Sequence, residues 1–161
     1  MTFDDVVDKI LSAVEVTRNA VLATASKDGV VSVRQMKIIN DGLKIYMQTD
    51  KKSNKVKEIK ENPNVAFNFG IYSFKGKAKI SGHPNGNKVF VEKLKQKALQ
   101  TYKNYTNLPD EVLVEIEITE CRIWGLENKD YTDGKEIIHI VDFKNKNVSQ
   151  IFCDKIIGGE K

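Results

Sequence analysis

The stretch Thr49–Pro63, TDKKSNKVKEIKENP, gathers side chains suited to holding an anion. It carries Lys51, Lys52, Lys55, Lys57 and Lys60, with hydroxyls at Thr49 and Ser53. A helix that starts in this stretch has free backbone N–H groups and a partial positive charge at its first turn. Phosphate is attracted to such a helix start before any side chain contributes. The Ser53 hydroxyl, the Lys55 ammonium and the Thr49 hydroxyl then make a donor set for a phosphomonoester. Arg34 adds a guanidinium if its strand pairs with the strand ending at Thr49. The spacing alone favours a solvated Lys-rich helix face, so the surrounding elements must decide.

Those elements can be read from period and punctuation. Thr2 is placed to cap a helix over about residues 3–16, with Asp4 and Asp5 in its first turn and Val6, Ile10, Leu11 and Val14 at helical spacing. Three strands follow as an antiparallel meander over residues 20–49: AVLATAS, VVSVRQMKII and LKIYMQT. Gly29 and Gly42, each after an Asp, supply the positive φ that tight turns need. In the third strand Leu43, Ile45 and Met47 share one face, and Lys44, Tyr46 and Gln48 the other. In the second, Arg34 shares a face with Val30, Ser32, Met36 and Ile38. An arginine there either has a buried partner or lies on a solvent face or a rim.

Thr49 or Asp50 is expected to cap the short helix that follows, Val56 and Ile59 to anchor it, and Pro63 to stop it. Val65, Phe67, Phe69 and Ile71 then alternate in one strand. Phe74, Ala78 and Ile80 alternate against Lys75, Lys77 and Lys79 in its partner. A helix is expected over about 86–104, with Val89, Leu94, Ala98, Leu99 and Tyr102 as its buried stripe. In EVLVEIEITECRIW the apolar set runs Val112, Val114, Ile116, Ile118 and then shifts phase to Cys121 and Ile123, which predicts a bulge or bend. EIIHIVDF and VSQIF supply the last strands. The order predicts an α+β fold, a mainly antiparallel split β-barrel with flanking helices. It forms one domain over residues 1–161, with 127–161 as a C-terminal extension.

Composition narrows the function. The chain has 161 residues, 40% of them hydrophobic, which suits one ordinary core. A net charge of +4, with Lys and Glu interspersed, is not the basic stripe of a nucleic-acid surface. Cys121 and Cys153 form no CxxC pair, so neither a disulfide framework nor a metal site is expected, and a reducing cytoplasm is the simplest context. The N-terminal stretch lacks a leader pattern, and no segment is apolar enough to span a membrane. His83, between Gly82 and Pro84, reads as a turn residue, and His139 as a sheet residue in an apolar run. No Ser-His-Asp arrangement or metal cluster is readable.

The whole pattern resembles the pyridoxamine 5'-phosphate oxidase superfamily of FMN-binding split barrels, in particular its small general-stress and nitroimidazole-resistance members. The pieces that carry the resemblance are AVLATASKDGVVSVRQMKII, LKIYMQTDKKSNKVKEIKENPNVAFNF, the strand KGKAKISG and, more weakly, ECRIWG. The resemblance implies that Arg34 opens the cofactor-binding strand. It implies that Gln35, Met36 and Lys37 pass the isoalloxazine ring, and that Gln48 and Thr49 lie near the ribityl chain. Ser53, Asn54 and Lys55 match the family's Ser-Arg-Lys phosphate triplet, with Asn54 departing from the arginine. Lys77 matches a position that reaches FMN from the partner subunit, and Trp124 an aromatic near the flavin. FMN between the subunits of a homodimer is thus implied.

The C-terminus, VDFKNKNVSQIFCDKIIGGEK, lacks the Arg-His-Asp-Arg type segment that holds substrate phosphate in true pyridoxamine phosphate oxidases. The implied function is FMN-dependent redox of another small molecule. The alternatives are a non-catalytic flavin or haem binder of the same fold and, on the Lys51–Lys60 run with Lys75, Lys77 and Lys79, a nucleic-acid module. Phe67, Phe69 and Phe74 read as core and count against the last.

Overall fold

The computed structural model describes residues 1–127 and 135–154. Helix α1 (Phe3–Val16) opens the chain. Its cap is as expected: the Asp5 N–H donates to Thr2 Oγ1 at 3.2 Å, and the Thr2 N–H donates back to Asp5 Oδ2 at 2.8 Å. These reciprocal bonds satisfy donors that a bare helix start leaves open. Val6, Ile10 and Val14 form the buried stripe.

Strands β1 (Asn19–Ala25), β2 (Val31–Lys37), β3 (Ile39–Asp41) and β4 (Lys44–Asp50) follow. Gly29 and Gly42 take φ of +82° and +57°, as their turns require. The expected second strand is broken. β2 pairs with β1, whereas β3, beyond Ile38, pairs with β4. The remaining strands are β5 (Asn64–Phe69), β6 (Tyr72–Ser81), β7 (Glu111–Trp124), β8 (Lys135–Asp142) and β9 (Asn147–Asp154).

The main sheet runs β2-β1-β5-β6-β7-β4-β3, with β8 added on β7 and β9 on β8. Its two ends, β2 and β3, are joined through the single residue Ile38. Neighbouring Cα atoms are about 3.8 Å apart, so the sheet must curl until its ends nearly meet. Ile38 is fully buried at that seam. The result is an α+β split barrel.

The barrel core joins the α1 stripe to Leu22, Ile45, Met47, Phe67, Phe74, Ile116 and Ile123. Phe67 and Phe74 stack with centroids 4.5 Å apart, so the strand aromatics are core, as expected. The phase shift in β7 is a bulge. Lys75 faces Glu120 and Gly76 faces Ile118, which leaves Thr119 extra on β7.

Helix α2 (Asn54–Glu61) follows β4. A single turn at Pro84–Gly86 then leads into α3 (Lys88–Thr101), which continues as a wider turn over Tyr102–Thr106. α3 covers the outer side of β3 and β4: Phe90 and Leu94 pack on Ile39, Tyr46 and Leu113. The expected stripe is corrected here. Val89 and Leu99 are exposed and Phe90 is buried, because Phe90 lies four residues before Leu94 on one helix face whereas Val89 and Leu99 each lie five from it. Ala98 leaves helical geometry at φ −153° and ψ 62°, and the following turn buries Thr106 beside β4. Among the described residues no helix is long and apolar enough to cross a membrane.

Candidate functional site: a helix start beside a cleft

β4 delivers the chain to α2 in a tight turn. The Ser53 N–H donates to Asp50 O at 3.0 Å, and the N–H groups of Val56 and Lys57 donate to Ser53 O at 3.1 and 3.4 Å. Ser53 therefore caps α2 by position, in place of Thr49 or Asp50, yet its side chain makes no capping bond. The hydroxyl turns instead to Thr49, with Oγ and Oγ1 3.3 Å apart. Lys55 Nζ donates to Thr49 Oγ1 at 3.0 Å. Two hydroxyls and one ammonium thus converge at the start of an eight-residue helix, where backbone N–H groups lack helical partners.

Lys55 is half-buried, and among the described residues it takes part in no salt bridge. Burial pushes its pKa below the usual lysine value, and the Arg34 guanidinium pushes the same way. Glu111, Asp50 and Glu58 oppose that shift only in part. An ammonium that is desolvated, faced by a second cation and without a bonded carboxylate is stabilised by an incoming anion.

Arg34 sits at the rim with its side chain 21% exposed. Its strand does not pair with β4. Nη1 donates to Thr24 Oγ1 at 2.6 Å and to Leu22 O at 3.4 Å, and Nη2 lies 3.5 Å from Glu58 Oε2. Glu58 is 4% exposed. Its carboxylate accepts from the Thr24 hydroxyl, from Ser32 Oγ at 3.0 Å and from Asn54 Nδ2 at 3.0 Å. The Thr24 bond first, with Ser32 and Arg34 helping, holds its pKa below the ordinary value despite the opposing effect of burial. It is an anion at neutral pH. Asn54, matched to the phosphate triplet, points its amide at this carboxylate.

Beside the helix start lies a cleft of about 270 Å³. Gln35, Met36 and Lys37 form one wall, Gln48, Thr49 and Asp50 a second, and Thr101, Tyr105 and Glu111 a third. Gln48 is held by Thr106, whose hydroxyl donates to its Oε1 at 2.8 Å. The expected flavin-side residues thus come together next to the expected phosphate-side ones. Glu111 is 8% exposed and faces Asp50 across the β4–β7 ladder. Burial, then Asp50, raises its pKa.

Two expected residues lie elsewhere. Lys77 projects from the outer face of β6 and donates to Asn64 Oδ1. Trp124 ends β7 opposite Ile138 and is 42% exposed, so it is not core. His83 is a turn residue, with Nε2 2.9 Å from Leu108 O. His139 is a buried sheet residue 2.9 Å from Gln150. No group of three or more potential metal ligands occurs among the described residues.

Sequence reasoning missed Glu58, Thr24 and Ser32. The available signal was polar residues at inward-facing positions of β1 and β2, level with Arg34. It also missed Glu111 and Tyr105, which reach the cleft from elements far along the chain.

The chain is thus a split barrel in which the end of β4, the start of α2 and the flank of β2 frame a cleft. Residues 6–125 match the model of the pyridoxamine 5'-phosphate oxidase family, and the chain belongs to that family. It is 30% identical over 138 residues to general stress protein 26 of Bacillus subtilis (strain 168), covering 80% of this chain and 95% of that protein. General stress protein 26 of Bacillus anthracis superposes with a TM-score of 0.57 and 25% identity, over 72% of this chain and 91% of that one. A pyridoxamine 5'-phosphate oxidase-related, FMN-binding protein of Nostoc punctiforme superposes with a TM-score of 0.58. It covers 93% of this chain and 94% of its own, at 10% identity, which is a likeness of fold.

Proposed function

We propose that this protein binds FMN, with the phosphate at Thr49, Ser53 and Lys55 and the ring system in the adjoining cleft, and carries out redox chemistry on a small molecule. The observation that carries the reading is Lys55: a half-buried cation, bonded to Thr49, at a helix start whose Ser53 hydroxyl makes no cap. The residues present suit a phosphate, since two hydroxyls, an ammonium and helix N–H groups are all donors. Bound FMN supplies the electron and hydride chemistry. The protein's share is position and access. Gln48, fixed by Thr106, lines the cleft with the flank of β2, and Tyr105 at 52% exposure forms an open wall through which a substrate enters.

The same reading includes a homodimer. Val21, Val31 and Val33 are 39%, 65% and 65% exposed on the outer face of β1 and β2. Next to them is a depression of about 450 Å³ walled largely by Ala23, Ala25, Val31, Ala66 and Gly76, with Lys77 at its edge. An apolar face of this kind on a soluble barrel suits a second copy. In that dimer Lys77 of one subunit reaches toward the cleft of the other.

The test is the visible spectrum of the protein loaded with FMN and then desalted. Flavin bands that travel with the protein in a dimer-sized peak, and that bleach on anaerobic addition of NADH or NADPH, are the expected result. Protein that elutes colourless after loading removes the flavin reading. Bands that persist but never bleach with any reductant turn it into a flavin-binding function without turnover.

A further inference from the structure

Glu58 is a buried carboxylate on the helix that carries Ser53 and Lys55 at its start, and the family resemblance assigns it no role. It accepts from Thr24, Ser32 and Asn54, and it lies 3.5 Å from Arg34 Nη2. Four side chains drawn from β1, β2 and α2 therefore converge on one charge. Two of them, Arg34 and Asn54, occupy positions that would otherwise offer donors to a ligand.

We propose that Glu58 sets the charge of the anion grip: it cancels Arg34 and engages Asn54, so that the charge bonded to the Thr49–Ser53 hydroxyls and facing the ligand is that of Lys55 and not of Arg34. The inference rests on the FMN reading for the identity of the ligand. Its physical basis is Coulombic. Opposite charges in contact present almost no net charge to a group beyond them, and their separate effects on that group nearly cancel. Arg34 and Glu58 both act on Lys55, one lowering its pKa and the other raising it, so both charges are felt at the grip. The grip thus discriminates phosphorylated from unphosphorylated flavin less strongly than its donors imply. Glu58 is the residue that limits that discrimination.

The readout is the ratio of dissociation constants, riboflavin over FMN, in wild type, Glu58→Gln, Arg34→Gln and the double variant. Glu58→Gln keeps the shape while removing the charge: with its oxygen in the Oε1 place it still accepts from Ser32 and Asn54, and its amide nitrogen in the Oε2 place reverses the Thr24 bond, donating to that hydroxyl. Its ratio is expected to rise by about tenfold or more, on the scale by which a neighbouring charge shifts an ionic equilibrium. Arg34→Gln is expected to lower the ratio comparably, and the double variant to bring it back toward the wild-type value. A purely structural role for Glu58 predicts neither the rise nor the recovery.

An unchanged or reduced ratio in Glu58→Gln overturns the proposal. If that variant does not fold, the double variant decides, since it buries no unbalanced charge. A ratio within about threefold of wild type supports cancellation, and a tenfold fall shows that Arg34 serves the phosphate directly. The series is repeated with inorganic phosphate alone, followed by NMR shifts of the Asn54 and Lys55 amides. Tighter phosphate binding in Glu58→Gln without flavin binding in any variant sustains this inference and removes the FMN reading. Flavin binding with no gain in Glu58→Gln does the reverse.

Discussion

Lysine is dense in two places, at the start of α2 and along β6, and the two places treat it in opposite ways. On β6 the lysines alternate outward, and two of the three meet carboxylates across the ladder: Lys75 with Glu120 at 3.1 Å and Lys79 with Glu115 at 3.4 Å. Their side chains remain 60% and 70% exposed. Around α2 the outermost lysines behave likewise, Lys51 and Lys52 both pairing with Asp110 at 2.7 and 2.6 Å. Lys55 differs. It is half-buried, bonded to a hydroxyl rather than a carboxylate, and depressed in pKa by burial. A count of lysines therefore says little about anion binding. Desolvation without a bonded counter-charge says much more.

The comparison breaks most visibly at the helix start. Ser53→Ala with Lys55→Ala removes two donors, one of them charged, and is expected to weaken FMN binding about a hundredfold or more while the fold is retained. Equilibrium titration with melting curves checks both halves. Next in size is Gly76→Ala, on the strand that carries the outward lysines. A Cβ there would meet Glu117 O and Ile116 Cγ2 at 2.7 Å, beside the bulge. A loss of about 1–3 kcal/mol in denaturant unfolding is expected, because neither backbone nor core can yield freely.

A smaller effect distinguishes Glu111 from the paired carboxylates of the strands. Burial and Asp50 raise its pKa, so the folded protein holds this proton more tightly than the unfolded chain does. Stability on its account is full at low pH and is lost as pH rises through the raised pKa. Glu111→Gln should melt higher than wild type near pH 7.5, by about 2–4 °C for each kcal/mol recovered, and alike near pH 4. A constant difference across that range would assign its effect to packing. Smallest of all, Lys75→Ala with Lys79→Ala should leave FMN affinity unchanged and shift stability by less than about 1 kcal/mol, as exposed pairs do.

What the sequence revealed and concealed divides along range. The Thr2 cap, the turns at Gly29 and Gly42, the alternation of β6 and the bulge at Thr119 depend on residues near one another in the chain, and all were legible. The break at Ile38 was not. β2 and β3 differ only in which distant strand each one meets, and no local period records that choice. The stripe of α3 was shifted by one position at Val89 and Phe90, because Phe90, four residues before Leu94, shares its helix face, and Val89, five before it, does not. The helix-start donors Thr49, Ser53 and Lys55 were legible as a set, because helix starts attract anions whatever the fold. Glu58 was hidden inside a charged run. Its burial is tolerable only because Thr24, Ser32 and Arg34 arrive from strands far away in sequence. Glu111 and Tyr105 reached the cleft by the same long-range closure.

The most direct measurement is a paired titration of wild type and Lys55→Ala with FMN and with riboflavin. The predicted result is a loss of FMN affinity of about tenfold or more in Lys55→Ala with riboflavin affinity unchanged, which places the phosphate at the start of α2. Equal losses for the two flavins, or no loss for either, would contradict the account and return Lys55 to the solvated lysines it was contrasted with.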